Sequence, residues 1–179
     1  MAIFGKKQFK LSNIVRWYAI VLGTLVVLAF ATGAVMVANP HFISHFTTAT
    51  LNAPCDSVSV CFKEAGLGKN VNIDYEVTAT ATATYNCVNN GGKCPNAANK
   101  VTVNGPVTET ATFNSGKNGS IKACIHLTPP GPGDFTCPPG QNLMLSDISF
   151  SGLMITDVTN SVSTTPSAGT LTDVCFVCP

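Results

Sequence analysis

The chain has 179 residues, enough for one ordinary domain, and only 11% of them are charged, against roughly 25% in a typical soluble domain. The net charge of +1 conceals a split: Lys6, Lys7, Lys10 and Arg16 precede every acidic residue, whereas beyond residue 38 six Lys stand against nine Asp and Glu. No basic field remains to hold a nucleic acid, and 45% apolar residues argue against a disordered chain.

The four basic residues lead into residues 18–38, an uncharged run interrupted only by Gly23, Thr24, Thr32 and Gly33. As a helix rising ~1.5 Å per residue, this run spans a hydrocarbon core of ~30 Å. The basic flank predicts an N-terminus inside and the remainder outside. Residues 1–38 therefore read as a signal peptide or an N-terminal transmembrane anchor. Ala29-Phe30-Ala31 offers a cleavage site after a shorter apolar core, and Ala38 a poorer one. If uncleaved, residues 18–38 make the membrane itself a partner. A pilin-like leader processed at Gly5-Lys6 is a weaker third reading, because no carboxylate follows early in the helix. Each route exports the rest of the chain.

Residues 39–54, rich in Thr, Asn and His, read as a spacer before a domain at 55–179. No later run keeps a helical period, and strand signals dominate. Residues 57–62 alternate with Val58, Val60 and Phe62 on one face. Residues 71–85 form a long strand whose second half is regular: Val77, Ala79, Ala81, Ala83 and Tyr85 on one face, Thr78, Thr80, Thr82 and Thr84 on the other. The Ala face admits a closely packed layer, and the β-branched Thr face suits a solvated sheet surface. Short strands at 100–103 and 107–113 flank Asn104-Gly105, a strong turn signal. Residues 121–127 follow, with Ile121, Ala123, Ile125 and Leu127 on one face. Residues 129–140 carry five Pro and three Gly, which excludes a sheet interior. Strands at 143–150, 153–158 and 171–177 complete the series. About eight short strands separated by turns point to an all-β, antiparallel, Ig-like β-sandwich, preceded by the N-terminal apolar helix.

All eight cysteines, at 55, 61, 87, 94, 124, 137, 175 and 178, lie beyond the apolar run. An even count in an exported domain reads first as a disulfide set. Cys175-x-x-Cys178 has no second CxxC and no nearby His, so a zinc site lacks its other ligands. It ends a strand-like run rather than opening a helix, where a redox thiol would gain from the dipole.

Several strings carry a resemblance. These are Phe62-Lys-Glu-Ala-Gly-Leu-Gly68, Ala83-Thr-Tyr-Asn-Cys87 running through Asn90-Gly-Gly92 to Ala97-Ala-Asn-Lys100 and Gly105-Pro106, the 113–119 segment ending Ser-Gly-Lys-Asn-Gly119, and the 129–141 loop Pro-Pro-Gly-Pro-Gly-Asp-Phe-Thr-Cys-Pro-Pro-Gly-Gln. Over residues 45–165 the chain resembles a family of small uncharacterised secreted proteins of Gram-positive bacteria. The resemblance implies a secreted β-sandwich with no established activity and no catalytic residues to carry over. It also implies cysteines at Cys87 and Cys137, and hence their pairing. Positions matching Cys61, Cys94 and Cys124 usually hold other residues in that family, which makes this chain a more heavily bridged member.

For the other cysteines, register supplies an expectation. Cys55 and Cys61 flank the first strand, and Cys175 and Cys178 end the last. If those strands are antiparallel neighbours, Cys61 pairs with Cys175 and Cys55 with Cys178, leaving Cys94 for Cys124. Local pairs Cys55–Cys61 and Cys175–Cys178 are the rival arrangement.

Candidate chemistry is sparse. His41 and His45 have helical ligand spacing, but they flank aromatic residues beside the membrane run, where an interfacial belt explains them equally well. His126 lies off the apolar face of its strand, and no Gly-x-Ser-x-Gly elbow accompanies it. Asp74 and Glu76 share a strand face roughly 6.5–7 Å apart, near the lower limit for an inverting glycosidase pair; nothing nearby would raise one of them. Asp134, Asp147, Asp157 and Asp173 are scattered, without a calcium-loop series. The Thr78–Thr84 row resembles one row of an ice-binding ladder, which needs several. Asn118-Gly-Ser120 matches a glycosylation acceptor. With Trp17-Tyr18 at the membrane boundary, Tyr75 and Tyr85 are the rings left for sugar stacking.

These readings describe a non-enzymatic, exported or envelope-tethered β-sandwich with a structural, protective or adhesive role, without metal or other cofactor. The alternative is a ligand-binding module for carbohydrate or a cell-wall component, through loops 89–99 and 129–140. The N-in, C-out orientation has a direct test. A reporter fused after Pro179 is expected to be active only outside the cytoplasm, and cytoplasmic activity would overturn both the export reading and the disulfide argument.

Overall fold

The computed structural model describes residues 38–53, 55–94 and 99–177, and throughout them the chain is built from β-strands with a single 3-10 turn at Ser44–Phe46. The expected apolar helix at 18–38 lies outside the described residues but for Ala38, which belongs to no helix. Among the described residues no helix is long and apolar enough to cross a membrane.

Two antiparallel sheets make up the domain. Strand β3 (Val58–Ala65) is central to the first. Strands β1 (His41–Phe42) and β2 (Thr48–Leu51) follow one another along one of its edges, and β6 (Ser120–Leu127) takes the other. In the second sheet, β4 (Asn72–Asn89) runs between β5 (Lys100–Asn114) and β7 (Gln141–Asp157). The short strands β8 (Val162–Thr164) and β9 (Leu171–Val174) share the far edge of β7. The chain crosses from the first sheet to the second after β3, and back after β5.

The period of two in each strand decides which side chains form the core. Val58, Val60, Phe62, Ile121, Ile125 and Leu127 point inward from the first sheet. They meet Ile73, Tyr75, Val77, Ala79, Ala81, Ile148, Phe150 and Ile155 from the second. Strand β4 is the clearest case, with Val77, Ala81 and Ala83 fully buried while Thr80 is exposed. At one end the rings gather: Phe62 and Tyr75 have centroids 4.6 Å apart, with Phe113 6.0 Å from Tyr75 and Phe42 edge-on to Phe62 at 5.8 Å. Each such side chain contributes ~1.5–3 kcal/mol by leaving water. Tight backbone approach closes the same end. Gly66 and Gly119 both adopt left-handed φ, and a Cβ on Gly119 would come 2.9 Å from the carbonyl oxygen of Gly68.

Several expectations need correction. Residues 39–53 are not a spacer. They supply β1, the 3-10 turn and β2, because Phe42 and Ala49 have core to join and β3 has an open edge. Asn104-Gly105 is not a turn, since Asn104 pairs with Thr82 and Gly105 with Ala81 inside one continuous β5. A fifteen-residue strand lying along β4 gains more from ladder hydrogen bonds than a local hairpin would. Pro106 is tolerated because β5 is an edge, where a missing N–H interrupts nothing; it also discourages a further strand from adding there. The expected strands at 143–150 and 153–158 are one strand, β7, with irregularities opposite Thr78–Thr80, where Gly152 takes a positive φ, and opposite Thr84–Tyr85. Strand β9 ends at Val174 rather than at residue 177, and β8 was not foreseen.

Gly105 carries the sharpest consequence. It lies in a strand at ordinary φ, and a Cβ there meets nothing within 4 Å. Gly105→Val is therefore expected to raise unfolding free energy by about 0.5–1 kcal/mol, from reduced chain entropy and better β propensity, as read by urea denaturation. A loss of stability would restore the turn.

Candidate functional site

Polar groups collect in three places: a buried acid pair, the cysteines, and the outer face of the second sheet. The acid pair sits beside the ring cluster. Glu64 is on β3, Asp157 ends β7, and both are fully buried. The Tyr75 hydroxyl donates to Glu64 Oε2 at 2.6 Å. Asp157 is held by the turn that follows it, accepting from Asn160 N at 2.8 Å and Asn160 Nδ2 at 2.6 Å. Glu64 Oε1 is buried with no hydrogen-bond partner. Burial pushes the Glu64 carboxyl from 4.5 up to about 7, the Asp157 carboxylate adds to the rise, and the Tyr75 hydroxyl and the more distant His41 oppose it. Burial also drives the Tyr75 phenol upward, and its donation to Glu64 adds to that. The Tyr75 side chain that carries this hydroxyl is itself only 1% exposed. Single-sequence reading could not find it: Glu64 and Asp157 are ninety-three positions apart and each looks like an isolated surface charge.

The cysteines depart from the register expectation. Cys61 is bonded to Cys124, and Cys87 to Cys137. The first of these excludes both Cys61–Cys175 and Cys94–Cys124. The reason is topological. The last strand pairs with β7 in the second sheet, whereas the partner of β3 is β6, on which Cys124 stands opposite Cys61. Cys94 is disulfide-bonded as well. Cys55 is a buried free thiol and Cys175 a half-buried one, so Cys55 does not bond to Cys178, which lies outside the described residues. Cys87–Cys137, the pairing that the resemblance implies, ties the proline-rich loop to the end of β4. The Tyr85 hydroxyl reinforces it by donating to Pro130 O at 2.9 Å.

The outer face of the second sheet carries rows of hydroxyls and amides that run across the strands. Thr84 and Thr102 are hydrogen bonded at 3.1 Å, Asn104 donates to Thr82 at 2.6 Å, Thr112 to Asp74 at 2.6 Å, and Thr156 meets Ser163 at 2.9 Å. Ser149 and Thr172 extend the Thr82 row onto β7 and β9. The Thr row along β4 that is legible in the sequence is thus crossed by hydroxyl and amide partners on the neighbouring strands, which could be assigned only once the register was known.

The remaining candidates are dispersed. His41 lies in β1, its Nδ1 2.8 Å from Asn39 O, whereas His45 stacks beside Phe46 in the 3-10 turn, so the two lack helical spacing. His126 Nδ1 is 2.9 Å from Ser59 Oγ, a contact not anticipated. Asn52 Nδ2 approaches the same ring nitrogen at 3.5 Å, whereas a serine–histidine relay places its third group on the other nitrogen. Asp74 and Glu76 share the outer face of β4, as expected, with Asp74 engaged by Thr112. Asp134 is exposed in the proline-rich loop, while Asp147 and Asp173 face the edge where β9 joins β7. Asn118 is exposed in its turn. Among the described residues no three His, Cys, Asp or Glu come together as metal ligands.

The fold and these groups define a disulfide-braced, two-sheet antiparallel β domain with a hydroxyl-rich outer face. Set against protein-family models, curated proteins and solved structures, the chain matches none.

The acid pair makes stability depend on pH with a definite sign. Glu64 is harder to ionise folded than unfolded, so its contribution is complete below 4.5 and is lost as pH rises through about 7. The melting temperature is expected to fall across that window, and Glu64→Gln should remove that part of the decline. Parallel curves for the two proteins would show that Glu64 ionises freely in the fold.

Proposed function

We propose that the chain is an exported, envelope-exposed β-sandwich of Ig-like type that acts without catalysis, in a structural, protective or adhesive role, through the outer face of its second sheet. The observation that carries this reading is the hydroxyl field itself. Its side chains bond laterally across strands, which holds them in fixed order and leaves a broad face dominated by hydroxyls and amides, with its charges at the margins. Such a surface suits close apposition to hydroxyl-rich polymers of a cell wall, where many weak polar contacts replace one deep pocket.

Other features agree with export. The basic flank and the uncharged run at 18–38 read as an apolar helix that delivers the chain N-in and C-out, and the bridges are compatible with an oxidising, extracellular setting. Membership of the secreted Gram-positive family belongs to the same proposal. A carbohydrate-binding module that stacks sugars on tyrosines has less support. Tyr75 is in the core, and Tyr85 is half-buried with its hydroxyl committed to Pro130.

Cells displaying the full-length chain provide the test, with adhesion to purified cell-wall polysaccharide as the readout. Thr80→Lys with Thr82→Lys is expected to lower adhesion at least fivefold by adding charge and bulk to the face, and Tyr85→Ala to leave it unchanged. Loss confined to Tyr85→Ala would favour the ring-based binding module. Release of soluble sugar from the polymer would overturn the non-catalytic reading.

A further inference from the structure

Where the two sheets meet near the start of β3 and the end of β9, the unpaired thiols of Cys55 and Cys175 come together. Cys55 sits in the turn between β2 and β3, with φ of 75°. That conformation is uncommon for a residue bearing a side chain. The turn is held by Cys55 N donating to Asn52 O at 2.7 Å and Asn52 N to Ser57 O at 3.0 Å. Cys175 follows β9 directly, and its N–H and that of Phe176 both donate to Ser146 O, at 2.7 and 3.2 Å. Backbone is thus fixed on both sides. The Cys175 thiol donates to the carbonyl oxygen of Cys55 at 3.7 Å, and each thiol influences the ionisation of the other. The Cys55 thiol donates to Asp173 Oδ2 at 3.2 Å.

A buried free cysteine often serves simply as a small apolar side chain. Here the side chain occupies a strained turn position and faces a second thiol across the sandwich, which a packing role alone does not require. We propose that Cys55 and Cys175 are an oxidisable pair that closes, by exchange with an external disulfide, into a bridge joining the first sheet to the second. Neither described bridge does this: Cys61–Cys124 lies within the first sheet, and Cys87–Cys137 ties a loop to β4. The new bond would anchor β9, a strand of only four residues, against the β2–β3 turn.

The reaction balances as two successive exchanges. Cys175 is the more exposed, so its thiolate attacks one sulfur of the oxidant, forming a mixed disulfide and releasing the first thiol. The Cys55 sulfur then attacks the Cys175 sulfur and expels the second thiol. The Cys55 proton, directed at Asp173 in the resting state, ends on that leaving group. Two protein thiols lose two electrons, and one external disulfide becomes two thiols. Burial pushes the Cys55 thiol up to about 12, with Cys175 and Asp173 adding to the rise, and burial also raises that of Cys175. Closure is consequently slow at neutral pH, because the thiolate is the reacting species. Closure needs only the folded domain and an organic disulfide, in whatever compartment the chain resides.

The test uses the full-length chain with these two thiols reduced and excess oxidised glutathione as the probe, followed by alkylation and non-reducing peptide mapping. A Cys55–Cys175 peptide is expected, with loss of two alkylatable thiols and at least tenfold slower proteolysis at the C-terminal strand. Cys175→Ser should keep Cys55 alkylatable and abolish the protection. Two thiols still free after prolonged exposure, a mixed disulfide with glutathione that never resolves, or a Cys175–Cys178 peptide would each overturn the proposal. Mapping of the unsubstituted chain decides the matter even if a variant fails to fold.

Discussion

Strand β4 must bury one face from Ile73 to Ala83 while leaving most of the other open to solvent, and the rest of the domain is arranged to satisfy that demand. Its inward side is built from Ile73, Tyr75, Val77 and then small alanines, so the opposing sheet can approach closely where the alanines lie. Its outward side is threonine, which combines a β-branched carbon with a hydroxyl that can be shared with the next strand. Both neighbours follow the same alternation. A slip of one residue would put the threonines into the core and the alanines into water, so the register is strongly specified. The hydroxyl rows on the outer face are a consequence of that same register.

The ends of the sandwich are managed differently from its middle. At one end, rings take over from alanines, and Tyr75 carries a hydroxyl into the buried core. Its partner is Glu64, whose carboxyl is made harder to ionise by burial and by the nearby Asp157 carboxylate. This cluster trades stability for a fixed geometry, since a buried carboxyl with an unpaired oxygen costs more than an apolar group of its size. At the other end, β4 outruns the core, and the proline-rich loop covers it through Cys87–Cys137 and the Tyr85–Pro130 hydrogen bond. A segment with so many prolines cannot join a ladder, so covalent and side-chain ties substitute for main-chain pairing.

The placement of charge agrees with the proposed role. The outer face of the second sheet is mostly neutral, the lysines Lys63 and Lys122 lie together on the first sheet over Phe46, and the acids are dispersed. A surface of this kind is hydrated without exerting a strong field, which favours contact with neutral polymers over binding to polyanions.

Periodicity alone was enough for the inward and outward faces of β3, β4 and β6, because a half-buried strand writes its environment into every second residue. It was also enough for the strand-poor nature of the proline-rich loop. Local signals failed where tertiary pairing outweighed them. Asn104-Gly105 has the chemistry of a turn, yet a neighbouring strand long enough to pair through it kept it extended. The stretch 39–53 looked like a linker because its strands are too short to show a period, and only the open edge of β3 orders them. Cysteine pairing was beyond reach for a related reason: Cys61–Cys124 depends on which strand lies beside β3, and sheet order is set by how the two inner faces share one core. The same holds for Glu64 with Asp157 and for Cys55 with Cys175. Composition, face and strand content are local properties, readable along any one segment of the chain. Proximity between distant polar groups was decided only by the tertiary structure, since it follows from strand order and register, which no single segment encodes.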